Sequence, residues 1–160
     1  MRIPAKRSII NSQSDYKAKL DEKAHQQNMI SSFEKQIEEN EVMYEEFMMD
    51  DAEICVVAYG IASRISQNAI VEARKQGIKV GMIRPITLWP FPKKALAAAA
   101  DKVKSFVSVE LSMGQMIDDI ELAIRCKKPV LLCNRVGGMI PTVENVLEKI
   151  CEADKVGGAK

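Results

Sequence analysis

The sequence is poor in the side chains that most often carry chemistry. Its only histidine, His25, lies in a polar N-terminal stretch beside Lys23, Gln26, Gln27 and Asn28, with no sign of a pocket to orient it as a general base. The four cysteines, Cys55, Cys126, Cys133 and Cys151, form no C-x-x-C pair, and no clustered histidines complete a zinc or iron–sulfur ligand set. This chain alone is therefore expected to hold no metal and to keep its thiols reduced, mostly as small buried hydrophobes. An excess of one charge is also missing. Twenty-three basic against twenty-two acidic residues leave a net charge of +1, too little to attract nucleic acid or anionic lipid. No apolar run approaches the roughly 20 residues that span a bilayer. The opening MRIPAKRSIINSQSD lacks the apolar centre of a secretory signal. These absences predict a cytoplasmic protein with no nucleic-acid and no membrane partner.

What is present is the composition of a globular protein, 47% apolar and 28% charged over 160 residues. That length allows one domain hiding roughly 70% of its unfolded surface, plus an appendage. Residues 16–39 are polar, with Leu20, Ala24, Met29, Ile30, Phe33 and Ile37 often three or four apart, which predicts a long helix in need of a partner surface. Residues 41–49 read as a short edge strand or a helix end. From Ile54 the run ICVVAYG is a buried strand, and 62–76 follows at helical spacing. The unit recurs three times: strand 79–83 and helix 92–100, strand 105–110 and helix 115–126, strand 129–133 and helix 142–151. Gly77 falls at a helix C-cap and Pro141-Thr142 at a helix start. Alternation of this kind predicts a three-layer α/β/α domain on a mostly parallel sheet. The expected boundaries are an N-terminal helical extension over 1–50, the α/β domain over 51–152 and a disordered tail over 153–160.

In such sheets ligands collect beyond the carboxyl ends of the strands, where strand order reverses. Four loops qualify. In the first, Gly60 precedes Ser63 and Arg64 in a helix's opening turn, where unpaired amides favour an anion; a lone glycine turn with no second glycine or Walker lysine fits neither dinucleotide nor P-loop patterns, so a capped helix with Arg64 bonding a neighbouring loop or subunit is the favoured reading. The second, from Arg84 to Pro92, concentrates three of six prolines and the only tryptophan, Trp89. It is built either to dock or to cover its own sheet. In the third, Glu110 ends a buried strand before Gly114 and Gln115, so its carboxylate must meet a cation or backbone donors, and Arg64 is its candidate partner. The fourth holds Gly137 and Gly138, whose unrestricted backbone permits close approach of a ligand or another chain. No catalytic triad, paired acids, phosphate loop or metal site emerges.

These loops also carry a likeness. VAYGIASR from Val57, GIKVGMIRPITLWPFP from Gly77, VSVELSMGQM from Val107 and NRVGGMIPT from Asn134 make 51–150 resemble the C-terminal domain of the alpha subunit of 2-oxoacid:ferredoxin oxidoreductases, a fold shared with the C-terminal domain of transketolase. RPITLWPFP together with EVMYEEFMMDDAEI most resembles the branched-chain, 2-oxoisovalerate type. The resemblance implies thiamine diphosphate, coenzyme A and iron–sulfur clusters in the whole complex, with none bound by this chain alone. It implies partners among the other subunits or domains, thiamine-diphosphate-binding and ferredoxin-like, and leaves a homo-oligomer open. The family's larger N-terminal domain is missing from the sequence, so an excised domain or a split gene is expected. On this reading 54–58 lies beside 105–110, and Gly60, Ser63, Arg64, Glu110, Gly114 and Gln115 line one crevice. That crevice and the Trp89 loop form a docking face for assembly, with no catalytic residue of their own. A free-standing flavodoxin-like module binding a small molecule or phosphate is the alternative.

Overall fold

The computed structural model describes residues 13–156, and the expectations for 1–12 and 157–160 lie outside them. The elements run α1 (Gln13–Asn40), β1 (Tyr44–Phe47), β2 (Ile54–Ala58), α2 (Gly60–Lys75), β3 (Val80–Pro85), α3 (Lys93–Ala100), β4 (Ser105–Glu110), α4 (Gln115–Ile124), β5 (Val130–Asn134) and α5 (Val143–Val156). They divide into two units, Met1–Asn40 and Glu41–Lys160. The first contains α1, whose Leu20, Met29, Ile30 and Phe33 are exposed.

The second unit is built on one sheet in the order β1-β3-β2-β4-β5. β2, β3, β4 and β5 are parallel, and β1 pairs antiparallel with β3. The β-branched run of β2 is fully buried at the centre, where alternate residues serve opposite faces. Ile54, Val56 and Ala58 join Ile70 of α2 and Ile150 of α5, whereas Cys55 and Val57 join Leu96 of α3 and Ile120 of α4. Each fully buried branched or aromatic side chain contributes about 1.5–3 kcal/mol. The expected three-layer, mostly parallel α/β architecture is the observed one.

Local chemistry agrees with this arrangement. Gly77, at φ +87°, ends α2 in a left-handed turn: its N–H donates to Arg74 O at 3.0 Å and that of Ile78 to Ala73 O at 3.1 Å. Arg74 also fastens the turn between β1 and β2, donating to Val80 O and Met48 O and pairing with Asp51 at 2.7 Å. That hydrogen bond holds the Asp51 carboxyl below its ordinary value.

Two expected boundaries shift. The α/β unit begins at Glu41 rather than 51, because Tyr44–Phe47 belongs to its sheet as an edge strand. The tail cannot begin at 153, because α5 continues to Val156 and buries Ala153 against the core.

Candidate functional site

The order β3-β2-β4-β5 reverses between β2 and β4, so the crevice lies beyond Ala58 and Glu110, flanked by the first turns of α2 and α4. The strand pairing 54–58 beside 105–110 matches the sequence reading.

Glu110 dominates the α4 side. By strand alternation it shares a face with Phe106 and Ser108, and this is the face that α4 covers. Its carboxylate is completely buried. Oε1 accepts from Ser108 Oγ at 3.0 Å and from the Ile117 N–H at 3.2 Å. Oε2 accepts from Ser112 Oγ and from the Met116 N–H at 3.1 Å. Gly114, in a left-handed conformation at φ +103°, is the N-cap of α4 and has no side chain to offer. Glu110 supplies that cap from upstream in the chain, taking the second and third amides of the helix. All four acceptor positions of the carboxylate are thereby used.

The expected Glu110–Arg64 pair is corrected by this geometry. Backbone donors, the other option for a buried carboxylate, take its place, and Arg64 is exposed on α2 outside the network. Ser63 is buried, with its hydroxyl donating back to Gly60 O at 2.8 Å, and no side chain caps α2. Gly60 opens α2 at φ +57°. The Gln115 side chain turns to its own loop, where Oε1 accepts the Met113 N–H at 2.8 Å. Gly137 and Gly138 sit in the β5–α5 loop at φ +71° and +79° with open space around them. Sequence reasoning missed the roles of Ser108, Ser112 and Asn134. The last donates to Ser112 O at 2.8 Å and ties the β5 end to the Glu110 loop. The S-x-E spacing, which puts Ser108 and Glu110 on one face of a strand, is a signal that could have found the first, but only the folded loop reveals the other two.

The Trp89 loop divides its residues between two tasks. Pro90, Phe91 and Pro92 are buried at the α3 face of the core, whereas Trp89 and Leu88 are 58% and 50% exposed. The loop is tied by hydrogen bonds: Ile86 N–H donates to Met43 O at 2.9 Å, Met43 N–H to Thr87 Oγ1 at 3.0 Å, and Thr87 Oγ1 to Pro90 O at 2.9 Å. Each of the other three loops also exposes apolar side chains, Ile61, Met113 and Met139 among them. The carboxyl end of the sheet therefore carries an apolar rim around a crevice whose one buried carboxylate is fully satisfied.

Among the described residues no group of three or more His, Cys, Asp or Glu side chains could hold a metal ion, and no helix is long and apolar enough to cross a membrane. The four cysteines are unpaired; Cys55 and Cys133 are buried, Cys151 is half-buried and Cys126 is exposed, so the expectation of burial holds for only part of the set.

Comparison with known proteins matches this architecture. The family model described as pyruvate:ferredoxin oxidoreductase core domain II covers residues 52–146. Ketoisovalerate oxidoreductase subunit VorB of Methanothermobacter thermautotrophicus is 53% identical over 116 residues, covering 72% of this chain and 33% of the relative. 2-Oxoglutarate synthase subunit KorA of Methanothermobacter marburgensis is 35% identical over 101 residues, covering 63% of this chain and 27% of the relative. The chain thus spans between about a quarter and a third of the length of these curated relatives. The solved structure of 2-oxoglutarate:ferredoxin oxidoreductase from Magnetococcus marinus, with 2-oxoglutarate, coenzyme A and succinyl-CoA bound, aligns with a TM-score of 0.58 at 20% identity, over 89% of this chain and 24% of that one. A split-gene transketolase aligns with a TM-score of 0.63 at 16% identity, over 72% and 42% of the respective chains. Both structures share the fold. The sequence match, centred on the strands and loops that build the crevice, shows that this chain belongs to the pyruvate:ferredoxin oxidoreductase core domain II family.

Proposed function

We propose that this chain serves as the C-terminal, assembly domain of the alpha subunit of a branched-chain 2-oxoacid:ferredoxin oxidoreductase, docking other subunits through the rim at the carboxyl end of its sheet. The whole enzyme would convert a 2-oxoacid to its acyl-CoA with reduction of ferredoxin, using thiamine diphosphate, coenzyme A and iron–sulfur clusters borne by partner chains. The 2-oxoisovalerate preference rests on the likeness to the ketoisovalerate subunit. Unpaired thiols support a cytoplasmic address.

The observation that carries the assembly role is the contrast at the crevice. In nucleotide-binding α/β proteins the helix N-termini at the switch point receive phosphate. Here two amides of the α4 terminus are already bonded to Glu110, and the carboxylate that fills them opposes a second anion there. The α4 terminus does not fit a diphosphate. What the same end of the sheet offers is pre-ordered exposed apolar surface, the material of interface hot spots.

The test is co-purification of the chain with separately expressed thiamine-diphosphate-binding and ferredoxin-like subunits. Trp89→Ala paired with Met113→Ala is expected to weaken association by about tenfold or more, as loss of a hot-spot aromatic does. Arg64→Ala is expected to weaken it less, as a rim charge. Undiminished association in both the paired variant and Arg64→Ala would remove the docking role.

A further inference from the structure

On the face of the sheet covered by α3 and α4, a groove of about 360 Å³ runs between the two helices. It shares no residue with the crevice or the apolar rim. Its lining has four cations, Lys93 and Lys94 from the first turn of α3 and Arg125 and Lys127 from the end of α4, and no acid. Between them lie apolar side chains, chiefly Ala97 and Leu122, the latter 76% exposed and the most exposed large apolar side chain of the described residues.

Two features distinguish the walls of this groove. Lys93 and Lys94 stand at the N-terminus of α3, where the helix dipole is itself positive, where the first turn has no acid, and where Pro92 supplies no side-chain cap. An ammonium group at Lys94 gains nothing from the helix dipole there, so its charge is left to be answered from outside the helix. At the other wall, Arg125 and Cys126 are consecutive left-handed residues at φ +54° and +52°, a conformation unfavourable to L-residues that turns the chain out of α4. Lys127 is paired with Asp101 at 3.1 Å, whereas Lys94 and Arg125 enter none of the ion pairs of the described residues.

We propose that the α3–α4 groove docks an acidic amphipathic helix of a partner polypeptide, with an apolar anchor of that helix seated on Leu122 and its carboxylates facing Lys94 and Arg125. A third helix laid between two others is the common way to cover such a groove. The chemistry favours this occupant over a nucleotide or free polyphosphate. The lining has no aromatic ring on which a base could stack, and its cations are separated by apolar surface that a bare anion would leave wet.

The test titrates the 160-residue chain with a fluorescein-labelled helical peptide of roughly 18 residues carrying Glu and Leu at i, i+4 spacing, read by fluorescence anisotropy. Binding is expected at about 50 mM salt and is expected to weaken strongly at about 300 mM. The pair Lys94→Glu and Arg125→Glu should weaken it about tenfold or more, Leu122→Ser several-fold, and Lys94→Arg hardly at all. An analogue with Ala in place of Leu should bind several-fold more weakly than the parent peptide. Circular dichroism checks that each variant is folded, and because Leu122 is exposed the serine variant remains informative if the charge-reversed pair is not. The proposal is overturned by absence of binding at low salt, by equal affinity of the charge-reversed or serine variants, or by tripolyphosphate competing as well as the parent peptide does. The last result would mark a simple anion site.

Discussion

Replacing Glu110 by glutamine tests the central feature of the crevice because the side chain keeps its size and loses only acceptor capacity. Each carboxylate oxygen takes one hydroxyl and one backbone amide: Ser108 and Ile117 on Oε1, Ser112 and Met116 on Oε2. A serine can rotate its hydroxyl and become an acceptor, but a backbone N–H cannot. Whichever way the substituted side-chain amide is turned, its NH2 faces one of the two α4 amides, leaving a buried donor opposed by another donor. A lost hydrogen bond to a carboxylate is worth about 1.5–3 kcal/mol and the orphaned amide adds its own desolvation cost, so Glu110→Gln should destabilise by about 2–4 kcal/mol. That is a large part of a typical total of about 5–15 kcal/mol and corresponds to a fall of roughly 5–15 °C in Tm. Ser112→Ala removes one donor from a carboxylate that keeps three others, and should cost only about 1 kcal/mol. Urea unfolding followed by circular dichroism measures both. A Glu110→Gln chain within about 0.5 kcal/mol of the parent, or one less affected than Ser112→Ala, would refute the account of Glu110 as the cap of α4.

Other perturbations have equally definite outcomes. A Cβ on Gly81 would lie 2.5 Å from Met48 O and 2.7 Å from Met49 Sδ, so Gly81→Ala must move the turn that Arg74 holds; it should cost about 1–3 kcal/mol in the same unfolding assay. Trp89→Ala should leave Tm within about 2 °C of the parent, since the ring lies outside the core, while lowering subunit association. Burial pushes the Cys55 thiol from its ordinary value of 9.0 up to about 12, so iodoacetamide at mildly alkaline pH should label exposed Cys126 rapidly and Cys55 only after unfolding. The same shift sets a pH dependence. The native state holds the Cys55 proton more tightly than the unfolded chain does, so its contribution to stability is complete below about pH 9 and is lost as pH rises toward about 12. Urea midpoints that rise with pH across that window in the parent, relative to Cys55→Ala, would contradict the sign.

The sequence was most legible where one local pattern had one physical explanation. ICVVA reads as a strand buried on both faces because no charged residue interrupts it, and in the fold it is the central strand. Gly77 reads as a helix stop because only a left-handed residue completes that turn, and it stands at φ +87°. Residues 41–49 were ambiguous because YEEF has no burial pattern of its own. Its strand state comes from pairing with β3, with Tyr44 opposite Pro85 and Phe47 opposite Met82, a contact between segments about forty residues apart. The end of α5 is hard to read because charged Glu152, Asp154 and Lys155 surround the one small residue, Ala153, that closes the core and accepts a hydrogen bond from buried Ser105 at 3.0 Å. At the crevice the sequence located Glu110 at a strand end but could not choose between a cation and backbone donors. That choice depends on where the loop from Leu111 to Gly114 aims the first turn of α4, which is a property of the fold.

The same choice decides between an assembly domain and a phosphate-binding module. A ligand that binds only the native chain stabilises it by about 2.7 kcal/mol at a hundredfold excess over its Kd. That corresponds to a rise in Tm of roughly 5–10 °C. Were the crevice a diphosphate site, pyrophosphate, thiamine diphosphate or coenzyme A at millimolar concentration should produce such a shift in the isolated chain. With two α4 amides held by Glu110, that helix end offers an incoming anion fewer donors and a buried carboxylate as neighbour, so none of the three is expected to raise Tm by more than about 1 °C at fixed ionic strength. Glu110→Gln sharpens the comparison, since it withdraws the built-in anion and frees one amide without enlarging the site. A pyrophosphate shift of several degrees in the parent that is unchanged in Glu110→Gln would place an anion at the other terminus, α2, whose first turn has no side-chain cap, and would favour the binding module. A shift confined to Glu110→Gln would instead show that the protein's own carboxylate excludes phosphate from a fold built to receive it.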